Sequence, residues 1–151
     1  MEALLSMQSF LERGTVMKKI SLVLIVLFVC GSAFLFAGNK PLSLAESDPE
    51  HEAVDVPVDV EITLEFSNNV VNFKVSEHNA QCLSLIDPEG EEVEIEIVFP
   101  DDQLEPEKKR IIYITPVEPL LYDTEYTVVI TEELKAKNGS QLGEEVRVTF
   151  T

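Results

Sequence analysis

Apolar Val60, Ile62, Leu64 and Phe66 alternate with polar Glu61, Thr63 and Glu65. An extended chain turns successive side chains to opposite faces, so this alternation gives one apolar face and one charged face. The pattern returns over Glu92 to Phe99, where Val93, Ile95, Ile97 and Phe99 oppose Glu92, Glu94 and Glu96. Such a strand belongs in an antiparallel sheet with one wet face, and its row of glutamates discourages edge-to-edge pairing. Arg110 to Thr115 (RIIYIT), the trio Tyr126, Val128 and Ile130, and the trio Val146, Val148 and Phe150 read as further strands. Val70 to Val75 and Gln81 to Ile86 are fainter strand candidates on either side of the polar SEHN. Between these runs stand Asn68 and Asn69, the turn signal Asp87-Pro88-Glu89-Gly90, the charged loop PDDQLEPEKK and the turn at Asn138-Gly139. TEELKAK is expected to make at most one helical turn. About seven short strands with turns between them predict an all-β antiparallel sandwich.

Tyr126 stands where a late strand begins, after Leu120 and Thr124 in the loop LLYDTE. In sandwiches a tyrosine so placed buries its ring and bonds its hydroxyl to backbone a few residues upstream, the tyrosine corner. Leu120, Thr124 and Tyr126 are therefore read as structural, together with Phe66 and Phe150, which close the first and last alternating runs.

The N-terminal part follows another rule. Ile20 to Ala37 is an uncharged apolar run directly preceded by Lys18 and Lys19. That layout fits a signal peptide cut after Ala37 or, uncut, a helix long enough to anchor in a membrane. In both cases the lysines stay cytoplasmic and the residues after Ala37 are exported. Met17 opens MKK and is expected to be the true start, which makes residues 1–16 a mis-assigned start or a cytoplasmic stub. Residues 17–37 are then the export or anchor segment. Residues 38–58, with Pro41, Pro49 and Pro57, read as an acidic linker, and 59–151 as the sandwich.

Charge narrows the partners. The chain carries a formal net charge of −17, and residues 38–151 hold 26 acids against 8 bases. Nucleic acid is excluded by repulsion of its phosphates, and anionic headgroups are poor partners for the domain as a whole. There are two cysteines. Cys30 lies inside the apolar run, so Cys82 is left as an unpaired thiol and no internal disulfide supports the fold. Leu83 and Leu85 are read as inward, which points Cys82 outward or toward a half-covered edge. A free structural cysteine and a disulfide to a partner both remain open.

Three stretches resemble the SbsA-type bacterial Ig-like domain. SDPEHEAVDVPVDVEITLEFS is similar to that family's opening, LLYDTEYTVVI to its approach to a late strand, and KAKNGSQLGEEVRVTFT to its Asn-Gly turn and last strand. They span Ser47 to Thr151. The resemblance implies an extracellular Ig-like β-sandwich used for adhesion, spacing or contact with a cell-surface protein or glycan. It implies no catalytic residues. Tyr122 and Asp123 stand where that family has a Pro-Gly-like turn, and the loop from Asp101 to Lys109 is long.

No nucleophile stands with an acid or base at a spacing that suggests catalysis, and His51 and His78 read as exposed loop histidines. No cofactor is expected. The candidates for a metal are Asp101, Asp102, Glu105 and Glu107, hard oxygen donors suited to calcium, although Lys108, Lys109 and Arg110 follow at once. A copper-carrying sandwich is the other metal reading. Its N-terminal histidine and Asp-Gly-His turn have no counterpart in Gly38 or in Lys137-Asn138-Gly139-Ser140. The function expected is a non-catalytic exported interaction or spacer module, with a small calcium- or copper-binding domain as the alternative.

Overall fold

A computed structural model describes residues 41–151. Among them the chain forms β1 (Leu44–Asp48), β2 (Ile62–Phe66), a short helix α1 (Ser76–Ala80), β3 (Leu83–Ile86), β4 (Glu92–Val93) and β5 (Ile95–Val98). A 3₁₀ turn (Pro106–Lys108) leads to β6 (Ile111–Pro116), and β7 (Tyr126–Ile130) and β8 (Val146–Phe150) complete the order. Two four-stranded antiparallel sheets result, β1-β2-β6-β5 and β4-β3-β7-β8.

The alternation explains the core. Ile62 faces Ile114 and Leu64 faces Ile112 in the first sheet. Leu83 faces Ile130, Leu85 faces Val128, and Val128 faces Val148 in the second. All of these are buried and belong to one cluster with Phe66, Phe150, Leu134 and Leu142. Burying an aliphatic or aromatic side chain is worth about 1.5–3 kcal/mol, so this shared interior is what joins the sheets.

Three stretches depart from the alternating pattern. The segment read as a linker supplies β1, whose LAESD is mostly exposed and has no alternation of its own. It becomes a strand by pairing with β2 across a bulge between Leu44 and Glu46. There Glu46 faces Glu65, a like-charge pair offset by Arg110, whose guanidinium lies 2.7 Å from the Glu65 carboxylate. Next, the regular run Glu92 to Phe99 is two strands. β4 pairs with β3 and β5 with β6, so the chain changes sheets at Glu94, whose carbonyl accepts from the Val117 N–H at 2.9 Å. A period of two reports extension but not which sheet is extended. Finally, Val70 to Val75 is no strand. It is an irregular crossover leading into α1, with Val70 and Val71 packed in the core.

The exposed edge of β8 is covered by the segment before β2. The Glu52 N–H donates to the Thr149 carbonyl at 2.6 Å and the Thr151 N–H to the Ala53 carbonyl at 2.9 Å. Among the described residues no helix is long and apolar enough to cross a membrane. The run 20–37, its expected helix, Cys30 and the proposed start at Met17 all lie outside the described residues.

At the start of β7 the Tyr126 hydroxyl accepts the Leu121 N–H at 3.1 Å. The tyrosine ring is buried beside Phe150, with centroids 6.3 Å apart. Leu120 is buried, and its N–H donates to the Val58 carbonyl at 2.8 Å. The Thr124 hydroxyl donates to the Tyr122 carbonyl at 2.9 Å, closing the loop on itself. Tyr126→Phe keeps the ring and loses one hydrogen bond, so it should lower unfolding free energy by about 1 kcal/mol, read as a lower urea midpoint at unchanged slope.

Candidate functional site

The two ends of the sandwich differ. Loops 67–82, 99–110 and 131–145 meet at one end, and 49–61, 87–94 and 117–125 lie at the other, because β2, β5 and β7 run between them. The candidate residues concentrate at the first end, here the near end.

Its organiser is Asp102, whose side chain is only 6% exposed. One carboxylate oxygen accepts from the Asn69 amide at 2.7 Å, the Asn72 amide at 2.8 Å and the Lys137 ammonium at 3.1 Å. These bonds, the Asn72 amide foremost and then that of Asn69, hold the Asp102 carboxyl below its ordinary value. Asn69 in turn accepts the N–H groups of Val71 at 3.2 Å and Asn72 at 3.1 Å, which turns the chain into the crossover. The fully buried Asn79 finishes the assembly. Its amide donates to the carbonyls of Val70 and Lys135, both at 2.8 Å, and its oxygen accepts the Lys135 N–H at 3.0 Å.

The four loop acids are not gathered into one cluster. Asp102 is taken up by two amides and an ammonium. Asp101 accepts the Gln103 N–H at 2.8 Å within its own turn, and Glu105 pairs with Lys108 at 2.5 Å. That pair, through its hydrogen bond, raises the Lys108 ammonium above its ordinary value. Glu107 lines an open cleft of about 930 Å³ with Asn68, Asn69, Lys109, Arg110 and Lys137, on the outer side of the network. Among the described residues no group of three or more histidines, cysteines or acids is arranged to hold a metal. Of the three bases that follow the acids in sequence, Lys108 engages Glu105, while Arg110 reaches Glu65 and Asp102 is met by Lys137.

Cys82 is also placed otherwise than expected. It is 2% exposed and packed in the core. β3 begins at Leu83, and the Cys82 N–H still bonds to the Asn79 carbonyl at 3.0 Å. The period of two therefore does not extend back to Cys82, and the turn leaving α1 directs it inward. Its thiol lies 3.4 Å from the His78 carbonyl and 3.6 Å from the ring. Burial removes it from reach of a partner's thiol. His78 is half-buried on α1, its ring 2.9 Å from the Glu133 carbonyl. His51 is exposed, and its ring nitrogen Nδ1 accepts the Thr149 N–H at 3.1 Å, sealing the β8 edge. The Asn138-Gly139-Ser140 triplet is a tight turn in which Asn138 accepts from both the N–H and the hydroxyl of Ser140, at 3.1 and 2.7 Å. Sequence reasoning missed Asn72 and Asn79. The only local signal was three asparagines beside apolar residues where no strand pattern explains them.

Two packed antiparallel sheets, a tyrosine corner and a strand run that changes sheets define an Ig-like β-sandwich. Residues 38–151 match the family described as Bacterial Ig-like domain, and the chain belongs to that family. No curated protein matches it. Its fold is similar to CopC from Methylosinus trichosporium OB3b, with a TM-score of 0.53 and 18% identity over 73% of this chain and 91% of that one. It is also similar to a part of Escherichia coli alpha-2-macroglobulin, with a TM-score of 0.52 and 17% identity over 76% of this chain and 33% of that one. The N-terminal part of the bacterial S-layer protein SbsC gives 0.51 and 15% over 74% and 23%. The chain thus spans about a third or less of the last two. At these identities the likeness concerns the fold.

Asn79→Ala leaves two carbonyls and one N–H without their partner and should cost about 3 kcal/mol of stability by urea unfolding. Asp102→Ala tests the network through pH. A carboxyl held below its unfolded value stabilises the fold above that value, about 3.9, and loses the contribution as pH falls through the folded one. The gap in urea midpoint between the wild type and Asp102→Ala should therefore be full at neutral pH and close in acid.

Proposed function

We propose that this chain is a non-catalytic, exported Ig-like module of the SbsA type, tethered to a membrane by residues 20–37. In this reading it presents its far-end loops to a cell-surface protein or glycan, for adhesion or spacing. The observation that carries it is the use made of the reactive side chains. Asp102, Glu105, His51, His78 and Cys82 are each engaged in holding the fold, which supports a scaffold rather than an enzyme or a metal carrier.

The far end supports the contact role. Val54, Leu121 and Tyr122 are 72%, 70% and 83% exposed there, and the loop of the last two is supported by the tyrosine corner. Large apolar side chains on rigidly held loops among charges suit recognition of a partner. The location rests on the apolar run behind Lys18 and Lys19 and on membership in a bacterial Ig-like family. Cell fractionation combined with intact mass and protease treatment of intact cells tests it. The expected species sediments with membranes, retains residues 17–37 and is digested from outside. A species protected inside the cell would sink the export reading, and a soluble exported one beginning near Gly38 would sink the tether.

A further inference from the structure

Charge is segregated along the long axis of the sandwich. The far-end segments 49–61, 87–94 (with the short β4) and 117–125 hold 13 acids and no lysine or arginine. The near-end loops 67–82, 99–110 and 131–145 hold 9 acids and 6 bases. Two apolar tips project from the near end, Phe73 at 70% and Leu104 at 81% exposure. Phe73 shares a depression with Asp101, Asp102 and Gln103, the residues that directly precede Leu104. Lys74, next to Phe73 in the chain, and Lys109, on the cleft of the same end, are exposed.

The chain also enters at this end. The Ser67 hydroxyl donates to the Pro41 carbonyl at 3.3 Å and accepts the Ser43 N–H at 3.0 Å. Ser67 in turn lines the cleft with Lys109, Arg110 and Lys137. In sequence, only residues 38–40 separate Pro41 from the apolar run ending at Ala37. Those four peptide steps span at most about 14 Å.

We infer that the near end is a membrane-facing surface, resting on lipid headgroups with Phe73 and Leu104 directed into the interface and the 13 far-end acids held away. This rests on the tethered reading above. The net charge of the domain disfavours an anionic surface, and that repulsion selects the orientation. Strands of about five residues rise roughly 17 Å, which exceeds the screening length of about 8 Å at physiological ionic strength. Acids at the far end are then beyond the reach of headgroup charge, whereas the inverted domain would press all of them against it. Inversion would also require the short connection to run the height of the sandwich. Aliphatic and aromatic tips on an end that also exposes Lys74 and Lys109 match the composition of surfaces that sit at the headgroup boundary.

The chain contains no tryptophan, so a single introduced one reports without background. The full chain would be reconstituted into phosphatidylcholine vesicles containing phosphatidylglycerol, as Phe73→Trp, Leu104→Trp or Tyr122→Trp. All three positions are largely exposed, so the fold should tolerate the change. Flotation with the vesicles comes first; a chain that does not float overturns the tether and this inference with it. In the floating protein, Phe73→Trp and Leu104→Trp should shift emission to the blue and be quenched by brominated lipid, while Tyr122→Trp is neither shifted nor quenched. Adding Lys74→Glu and Lys109→Glu should relieve the quenching without affecting flotation. A floating chain whose Phe73→Trp and Leu104→Trp forms resist the brominated lipid, or whose Tyr122→Trp form is quenched equally, overturns the orientation and leaves the tether standing.

Discussion

Three asparagine amides hold the crossover on which the two-sheet arrangement depends. Between β2 in one sheet and β3 in the other the chain must turn through residues 67–82, placing Val70 and Val71 in the core while their backbone has no ladder partner. A buried backbone group left unpaired costs as much as several ordinary hydrogen bonds contribute, so the crossover is possible only if side chains take over that role. Asn69 and Asn79 do so directly, and Asn72 ties the segment to Asp102. Among the described residues no buried side-chain nitrogen or oxygen lacks a partner. The apolar interior supplies the attraction between the sheets, and the amides make the connection between them compatible with that interior.

The same network fixes the long acidic loop through one of its acids. Asp102 lies where three segments distant in sequence converge, and its charge is matched by donors from two of them. Loop 99–110 is thereby fixed to the crossover and to the 131–145 turn, and the near end becomes one surface with its charges largely balanced. No such balance exists at the far end, where the acids stand in loops without a base. Acidity that reads in the sequence as a uniform solubility device is, in space, an axis. The edges follow a related logic: β4 has two residues, β5 carries exposed Glu96 and is preceded by exposed Glu94, and β8 is covered by the segment around Ala53. Each of these blunts pairing with another chain.

Much of this was readable from residues alone, for a local reason. Half-burial of a strand is written in every second residue, so β2, β6, β7 and β8 were visible where they lie. The turn at Asn138-Gly139 was visible because glycine there adopts a positive φ of 85°. β1 was not visible, since LAESD buries little and owes its extended form to β2. The sheet change at Glu94 was hidden because Val93 and Ile95 have the same character whichever sheet they join. Cys82 was misplaced because alternation was carried one residue past the start of the strand.

By itself the sequence determined the fold class, the uncharged apolar run 20–37 and the acidity. These come from periodicity, hydropathy and charge, which are properties of neighbours along the chain or of sums over it. The tertiary structure alone decided which residues meet: Asp102 with Asn69, Asn72 and Lys137, Asn79 with two loops, and the entry of the chain with the balanced end. Those contacts join segments up to 56 residues apart, as between Asn79 and Lys135. Their energies arise from desolvation and hydrogen bonding in an interior that exists only once the sheets have packed.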